Sequence, residues 1–443
     1  MLKRLLFLLI LPAFFAPRYA AAAPIDVPIT LPNGLQIILR ERHEKPLIAM
    51  AMWMRAGSRE EKPGEEGCAH FLEHTLFKGT VTRKSNELDF AMESLGGIFT
   101  AATGPDYAYF GTTIPAASLE PALNLLSELI RNADLPDVEI RRERGPILEE
   151  LALRSADFQA QILESVYALA YTTHPYRRSP GGTPAAIQAR TRNELLSFYK
   201  RNYTPERVTL VLAGDFDTEA TKGLITKTFS DWKRAGSYLE PKDALNVEPE
   251  LTEPRISNVL SSASEGKIVI AFRVPPASNS GSTRALLLLD SLLGSSANSG
   301  LFAVPILAET KTEARYSPRL DGSLFLITAD IPPAANPAVI EAAIEQILRR
   351  LQTALPAPAA LQSARQQILA RTRSEAETLA GLARSLGYSA VVHADSTEIL
   401  PRVLPQVKAQ DVRKTALRYL NWNQRIEIRF LPAPTTAKET DAK

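Results

Sequence analysis

The first informative signal along this chain is the rhythm of its apolar positions. Ile25 to Thr30 and Leu35 to Arg40 read as strands joined at Pro32-Asn33-Gly34, a hairpin turn signal. Leu47 to Met54 is a further, largely apolar strand, ended by Ala56-Gly57-Ser58. Residues 67–77, 85–95, 117–132 and 187–200 carry helical spacing. The last of these has Thr191 and Glu194 in capping-box spacing at or near its start. Val208 to Ala213, closed by Gly214-Asp215, returns to strand. From 233 to 255 the periodicity is lost and Pro, Gly, Lys and Glu gather, the composition of a linker.

Beyond the linker the pattern repeats. Lys267 to Val274 resembles the Leu47 to Met54 strand. Ile114-Pro115-Ala116-Ala117 is echoed by Ile331-Pro332-Pro333-Ala334, followed in each copy by a helix, then by Leu-Pro (135–136 and 355–356), then by a helix carrying Ile-Leu (147–148 and 368–369). Such self-similarity predicts two related halves, 24–232 and 256–431, each a mostly antiparallel sheet packed with helices in an α+β fold. The polar, Pro/Thr-rich tail 432–443 is expected to be disordered.

The N-terminus changes the expected setting. Lys3 and Arg4 precede the apolar run Leu5 to Phe15, and small residues follow up to Ala23-Pro24. This is the pattern of a cleaved secretory signal over 1–23, too short in its apolar part to span a bilayer, and it predicts a periplasmic protein. No later stretch is long and apolar enough to cross a membrane. The formal charge of +2 includes three cations of this leader (Lys3, Arg4, Arg18), so the mature chain sits near −1 and carries no footprint for nucleic acid. Cys68 is the sole cysteine, so no intrachain disulfide supports the exported fold, and a core position is expected for it.

Two of the five histidines stand in His70-Phe71-Leu72-Glu73-His74. On a helix, positions i and i+4 share a face, so both imidazoles can reach one ion, with Glu73 beside it. Cys68, Leu72 and Leu76 fall on the opposite side, and Lys78-Gly79 supplies a helix stop. A zinc held by two histidines needs a third ligand and an open position for water, and a neighbouring carboxylate can take that water's proton. The competing reading is a solvated helix face bearing an ordinary His/Glu pair. His-x-x-Glu-His is the inverted zinc-protease motif.

The segment Gly67 to Thr80 resembles the zinc segment of the pitrilysin and mitochondrial processing peptidase family of inverzincin metallopeptidases. His174-Pro175-Tyr176-Arg177 with Gly182-Thr183-Pro184, and Tyr199 to Pro205 running into Val211 to Asp215, resemble further family stretches. The resemblance implies a zinc peptidase with Glu73 as general base, and His70, His74 and a glutamate about 76 residues further on as ligands, which places Glu150 in that role. It also implies that Glu143, seven residues before Glu150, orients a ligand histidine. Against this, Gly145-Pro146 interrupts the helical pattern, leaving open a surface salt bridge of Glu143 with Arg141 or Arg144. His174 is not a ligand in such proteins. Thr100, Ala101 and Ala102 match the family's edge strand, onto which substrate adds through its backbone, with Thr100 where asparagine is usual.

The second half departs from the family. Ala364 and Arg371 stand where Glu143 and Glu150 have their echoes, and no second His-x-x-Glu-His occurs, so one Zn2+ per chain is expected. The family's Arg/Tyr pair for the developing oxyanion is incomplete: Tyr316 remains, but Glu309, or Ala308 with one insertion, replaces the arginine. These features predict the zinc-bearing subunit of a heterodimer whose homologous partner supplies Arg/Tyr, acting on peptide substrates in a chamber. The alternative is a non-catalytic assembly subunit of the same family, which the intact metal motif argues against.

Overall fold

The structure is a computed structural model and describes residues 28–235, 248–261, 266–294, 300–333 and 335–432. The expected signal segment, the middle of the linker and the tail beyond Pro432 lie outside these residues.

The first half runs β1 (Ile29–Thr30), β2 (Gln36–Glu41), β3 (Leu47–Met54), α1 (Cys68–Leu76), α2 (Glu87–Ser94), β4 (Thr100–Thr103), β5 (Ala108–Pro115), α3 (Leu119–Arg131), α4 (Asp137–Ala156), α5 (Phe158–Ala170), α6 (Pro184–Ala189), α7 (Arg192–Asn202), β6 (Val208–Gly214) and α8 (Thr218–Phe229). The second runs β7 (Arg255–Ser261), β8 (Gly266–Val274), α9 (Ser280–Leu293), β9 (Thr312–Tyr316), β10 (Ser323–Ile331), α10 (Pro337–Thr353), α11 (Pro358–Glu375), α12 (Leu379–Val392), α13 (Leu400–Val403), α14 (Ala409–Tyr419) and β11 (Ile426–Pro432).

The two sheets have strand orders β1-β2-β6-β3-β5-β4 and β7-β11-β8-β10-β9. From β2 onward the first maps strand for strand onto the second. In each, one pair is parallel (β2 with β6, β7 with β11) and the others are antiparallel. The echoed Ile-Pro dipeptides close β5 and β10. The α+β architecture in two related halves is therefore present.

Local details differ from the sequence pattern in two places. The helical stretch 187–200 is two helices, because Thr191 caps α7 through the Glu194 backbone and ends α6 just before it. The linker's described residues are largely exposed but touch the fold at Glu248 and Leu251. Glu248 accepts hydrogen bonds from the Thr172, Thr173 and His174 backbone and pairs with Arg273, and Leu251 is buried. Partial burial raises the Glu248 carboxyl, but these bonds outweigh it and leave it at about 2. β7 already begins at Arg255.

Each half has its own core on the helix-covered side of its sheet. The opposite faces are covered crosswise. Helix α5 of the first half packs Ile162, Val166 and Ala170 on Val269, Leu326 and Ile428 of the second sheet. Helix α12 of the second half packs Leu382, Leu386 and Val392 on Ala49, Ala51 and Val211 of the first. That exchange explains why β3 and β6 are apolar on nearly every residue: both of their faces are buried.

Candidate metal centre

Helix α1 cannot begin with a local side-chain cap, since Gly67 precedes it in a left-handed conformation (φ 84°). The cap comes from elsewhere: Glu61 Oε1 accepts the Ala69 N–H at 3.0 Å. Gly67 also lies beneath Gly181 and Gly182. A Cβ on Gly182 would stand 2.7 Å from the Gly67 Cα, so the glycine motif at 181–182 permits the backbone crossing that seats the helix. Inward packing of Cys68, Phe71 and Leu72 fixes the helix roll.

This roll aims His70 and His74 at α4. Helix α4 is continuous from Asp137 to Ala156 with Pro146 inside it, so Glu143 and Glu150 share one face, and the interruption left open by Gly145-Pro146 does not occur. Glu150 Oε1 lies 3.3 Å from His70 Nε2, and its Oε2 lies 3.3 Å from His74 Nε2. Among the described residues, His70, His74 and Glu150 form the one group of His, Cys, Asp and Glu side chains able to hold an ion, their donor atoms all within 4.8 Å of one another. A tetrahedral zinc with bonds near 2.0–2.1 Å places its ligand atoms ~3.3–3.4 Å apart, so this donor set fits zinc.

The surroundings are polar on one side and aromatic on the other. Glu143 approaches His74 Nδ1 at 3.5 Å, and its other oxygen meets Lys78 Nζ at 3.1 Å. It therefore faces His74, while Arg144 bonds the Arg190 carbonyl. A cavity of about 300 Å³ opens beside the cluster, lined by Glu73, His74, Lys78, Asp89 and Ala101, with Phe77 and Phe99 as apolar walls. Burial lifts the Glu73 carboxyl above the usual carboxylate range; Thr103 and His74 oppose this, and Glu150 adds to it. Burial holds the His70 imidazole low, against the pull of Glu150, favouring the neutral form that ligates a metal.

Strand β4 is the outer strand of the first sheet and borders this cavity through Ala101. Thr100 and Ala102 are exposed on it. The Thr100 hydroxyl donates to the Gly111 carbonyl at 3.1 Å, so it is engaged with β5. Tyr316 is not brought to the metal cluster; it is buried at the end of β9 and lines a separate cavity. His174 is also elsewhere, with Nδ1 accepting the Tyr176 N–H and Nε2 beside Asp321. Cys68 is fully buried, 3.7 Å from Arg190, and its thiol is pushed up to about 12, mainly by burial. Sequence reasoning missed Glu61 and Asp89 and saw Lys78 only as part of a helix stop. Glu61 reaches α1 from the preceding loop, Lys78 meets Glu143 on α4, and Asp89 lines the cavity, and no motif spacing announces any of them.

Residues 36–183 match the model of the insulinase, or M16, peptidase family, and residues 190–368 match that of the M16 inactive domain. The chain belongs to the M16 (pitrilysin) family. An uncharacterized zinc protease of Mycobacterium leprae is 30% identical over 278 residues, 62% of this chain and 61% of that protein, so the chain spans about three-fifths of this relative's length. A protease from Helicobacter pylori superposes with a TM-score of 0.80 at 24% identity, covering 92% of this chain and 99% of the other. The periplasmic protease PqqL of Escherichia coli gives 0.77 at 19% identity, covering 93% of this chain and 48% of PqqL. No helix among the described residues is long and apolar enough to cross a membrane.

Proposed function

We propose that this chain is the zinc-bearing subunit of a periplasmic metalloendopeptidase. The observation that carries the proposal is the convergence of His70, His74 and Glu150 at 3.3 Å contacts, with Glu73 on the same helix beside an open cavity. His70, His74 and Glu150 would hold a zinc ion, which would supply a Lewis acid for acidifying water and polarising a carbonyl. Glu73, its carboxyl raised above the usual carboxylate range by burial, accepts a proton during attack and returns it to the leaving amine. Glu143, fixed by Lys78, holds the His74 ring in place through Nδ1. An extended peptide pairs with the open edge of β4, with Ala101 at the cavity and Thr100 and Ala102 flanking it.

The need for a homologous partner is supported by the second half. Arg371 and Ala364 replace the glutamates there, the arginine partner of Tyr316 is missing from the sequence, and this region matches a domain described as inactive. The periplasmic setting rests on the leader pattern and on the likeness to PqqL.

Glu73→Gln should keep one zinc by elemental analysis while turnover of an unstructured peptide falls at least about 100-fold. The wild-type chain should show low activity alone and full activity once mixed with a homologue carrying the Arg/Tyr pair. Zinc-free protein, or full activity from this chain alone, would refute the corresponding part.

A further inference from the structure

A second cavity, about 820 Å³, lies mainly in the second half, with Trp53 and Tyr107 of the first half closing one wall, at the place that corresponds by topology to the metal cavity of the first. Helix α9 follows β8 as α1 follows β3; β9 is the outer strand, as β4 is; α11 packs on α9 as α4 packs on α1. Arg371 on α11 stands at the echo of Glu150 and reaches this cavity. The degenerate half has thus lost its metal ligands and kept a pocket.

The lining of that pocket is unusual for a mere packing void. Asp290 Oδ1 and Thr397 Oγ1 are buried on residues that line it and have no hydrogen-bond partner, whereas the Tyr316 phenol interacts with Thr283 and Trp53 Nε1 packs against Gly387. Asp290 is 2% exposed. Buried polar atoms are nearly always paired, so an unpaired carboxylate oxygen and an unpaired hydroxyl beside one cavity mark the place of a missing hydrogen-bonding ligand. Charge is also polarised. The carboxyl of Asp290 lies deep, whereas the exposed charged residues of the lining are mainly cationic, Arg315, Arg371 and Arg384 against Glu375. Burial pushes the Asp290 carboxyl up to about 7, opposed by Arg371, so a cation placed against it would restore its charge.

We propose that this cavity binds a small zwitterion, an α-amino acid or a dipeptide, with its ammonium on Asp290 and Tyr316 and its carboxylate on Arg371 and Arg384. A deep acceptor and a cationic rim select this polarity and reject a simple anion or cation. The site contains no metal ligand and stands whether or not the zinc reading holds.

Isothermal titration of the full chain with L-alanine and with L-alanyl-L-alanine tests this, the two arms separating the single residue from the dipeptide. One of them should bind with a Kd in the millimolar range or tighter, and chelator-treated protein should bind equally well. Asp290→Asn and the surface variant Arg371→Ala should each weaken binding at least about tenfold, as should acetylating the ligand's ammonium. No binding up to about 20 mM, binding that survives both substitutions or acetylation, or binding that disappears with the metal would overturn the proposal.

Discussion

His74 is held from both sides of its ring, and this is where the centre is most exposed to single substitutions. Nε2 faces Glu150, Nδ1 faces Glu143, and Glu143 in turn meets Lys78. Removing the outer carboxylate leaves all three donors in place but frees the ring to rotate. Glu143→Gln should therefore weaken zinc binding by about 10–100-fold, and Lys78→Met should act in the same direction but less strongly, both measured by competition with a chromophoric chelator. His70, Glu73 and His74 were legible because i,i+4 adjacency is a local property of a helix. Glu150 was reached through family resemblance, since nothing within its own neighbourhood distinguishes it from Glu149. Lys78 could not be assigned its role without knowing that α4 crosses α1.

Helix α4 runs through Gly145-Pro146, where propensity predicts a break. Proline removes one hydrogen bond and crowds the carbonyl of residue 142, at a cost of about 3 kcal/mol. Burial of Ile140, Ile147 and Leu151 on both sides of it anchors the helix in the core, and tertiary packing wins. Helix α1 likewise depends on a residue outside itself. Glu61 caps it while almost fully buried, and burial pushes its carboxyl up to about 8 despite the bonds it accepts. A carboxyl raised in the folded state contributes its full stability below its unfolded value near 4.3 and loses it as pH rises toward 8. Glu61→Gln keeps the acceptor and should flatten this dependence, gaining on the order of 2 kcal/mol over wild type above pH 8 in urea titrations. Glu61→Ala should instead lose about 1 kcal/mol at pH 5, where the wild-type cap is neutral. Most strands and helices were readable from periodicity. The split between α6 and α7 required weighing the Thr191 cap above the continuing apolar rhythm.

At the scale of the molecule the two halves are bound by more than the crosswise helices. The loop before β10 enters a polar recess of the first half: Arg59 Nη2 meets Asp321 Oδ1 at 2.9 Å, His174 approaches the same carboxylate, and Tyr176 bonds Asp106, which accepts the Leu320 N–H. Arg319 stacks 4.2 Å over Tyr167 and 5.1 Å over Tyr176. Burial raises the Asp321 carboxyl, but His174 and Arg59 outweigh it and hold it low. Such a group contributes above its unfolded pKa and loses its contribution as pH falls through the folded value. Asp321→Ala should cost about 3 kcal/mol at pH 7, with the gap to wild type narrowing below pH 4. The repeat was visible in the sequence as paired Ile-Pro and Leu-Pro signals. The exchange of covering helices was not, because an apolar face does not say whose sheet it will meet.

The lone thiol offers a last use. Buried in α1, short of any disulfide partner and resistant to ionisation, Cys68 is silent toward oxidants and alkylating reagents while that helix is seated. It becomes a native tracer: the speed with which a maleimide finds it counts how often that helix lifts away from its glycine crossing, without any label having been introduced.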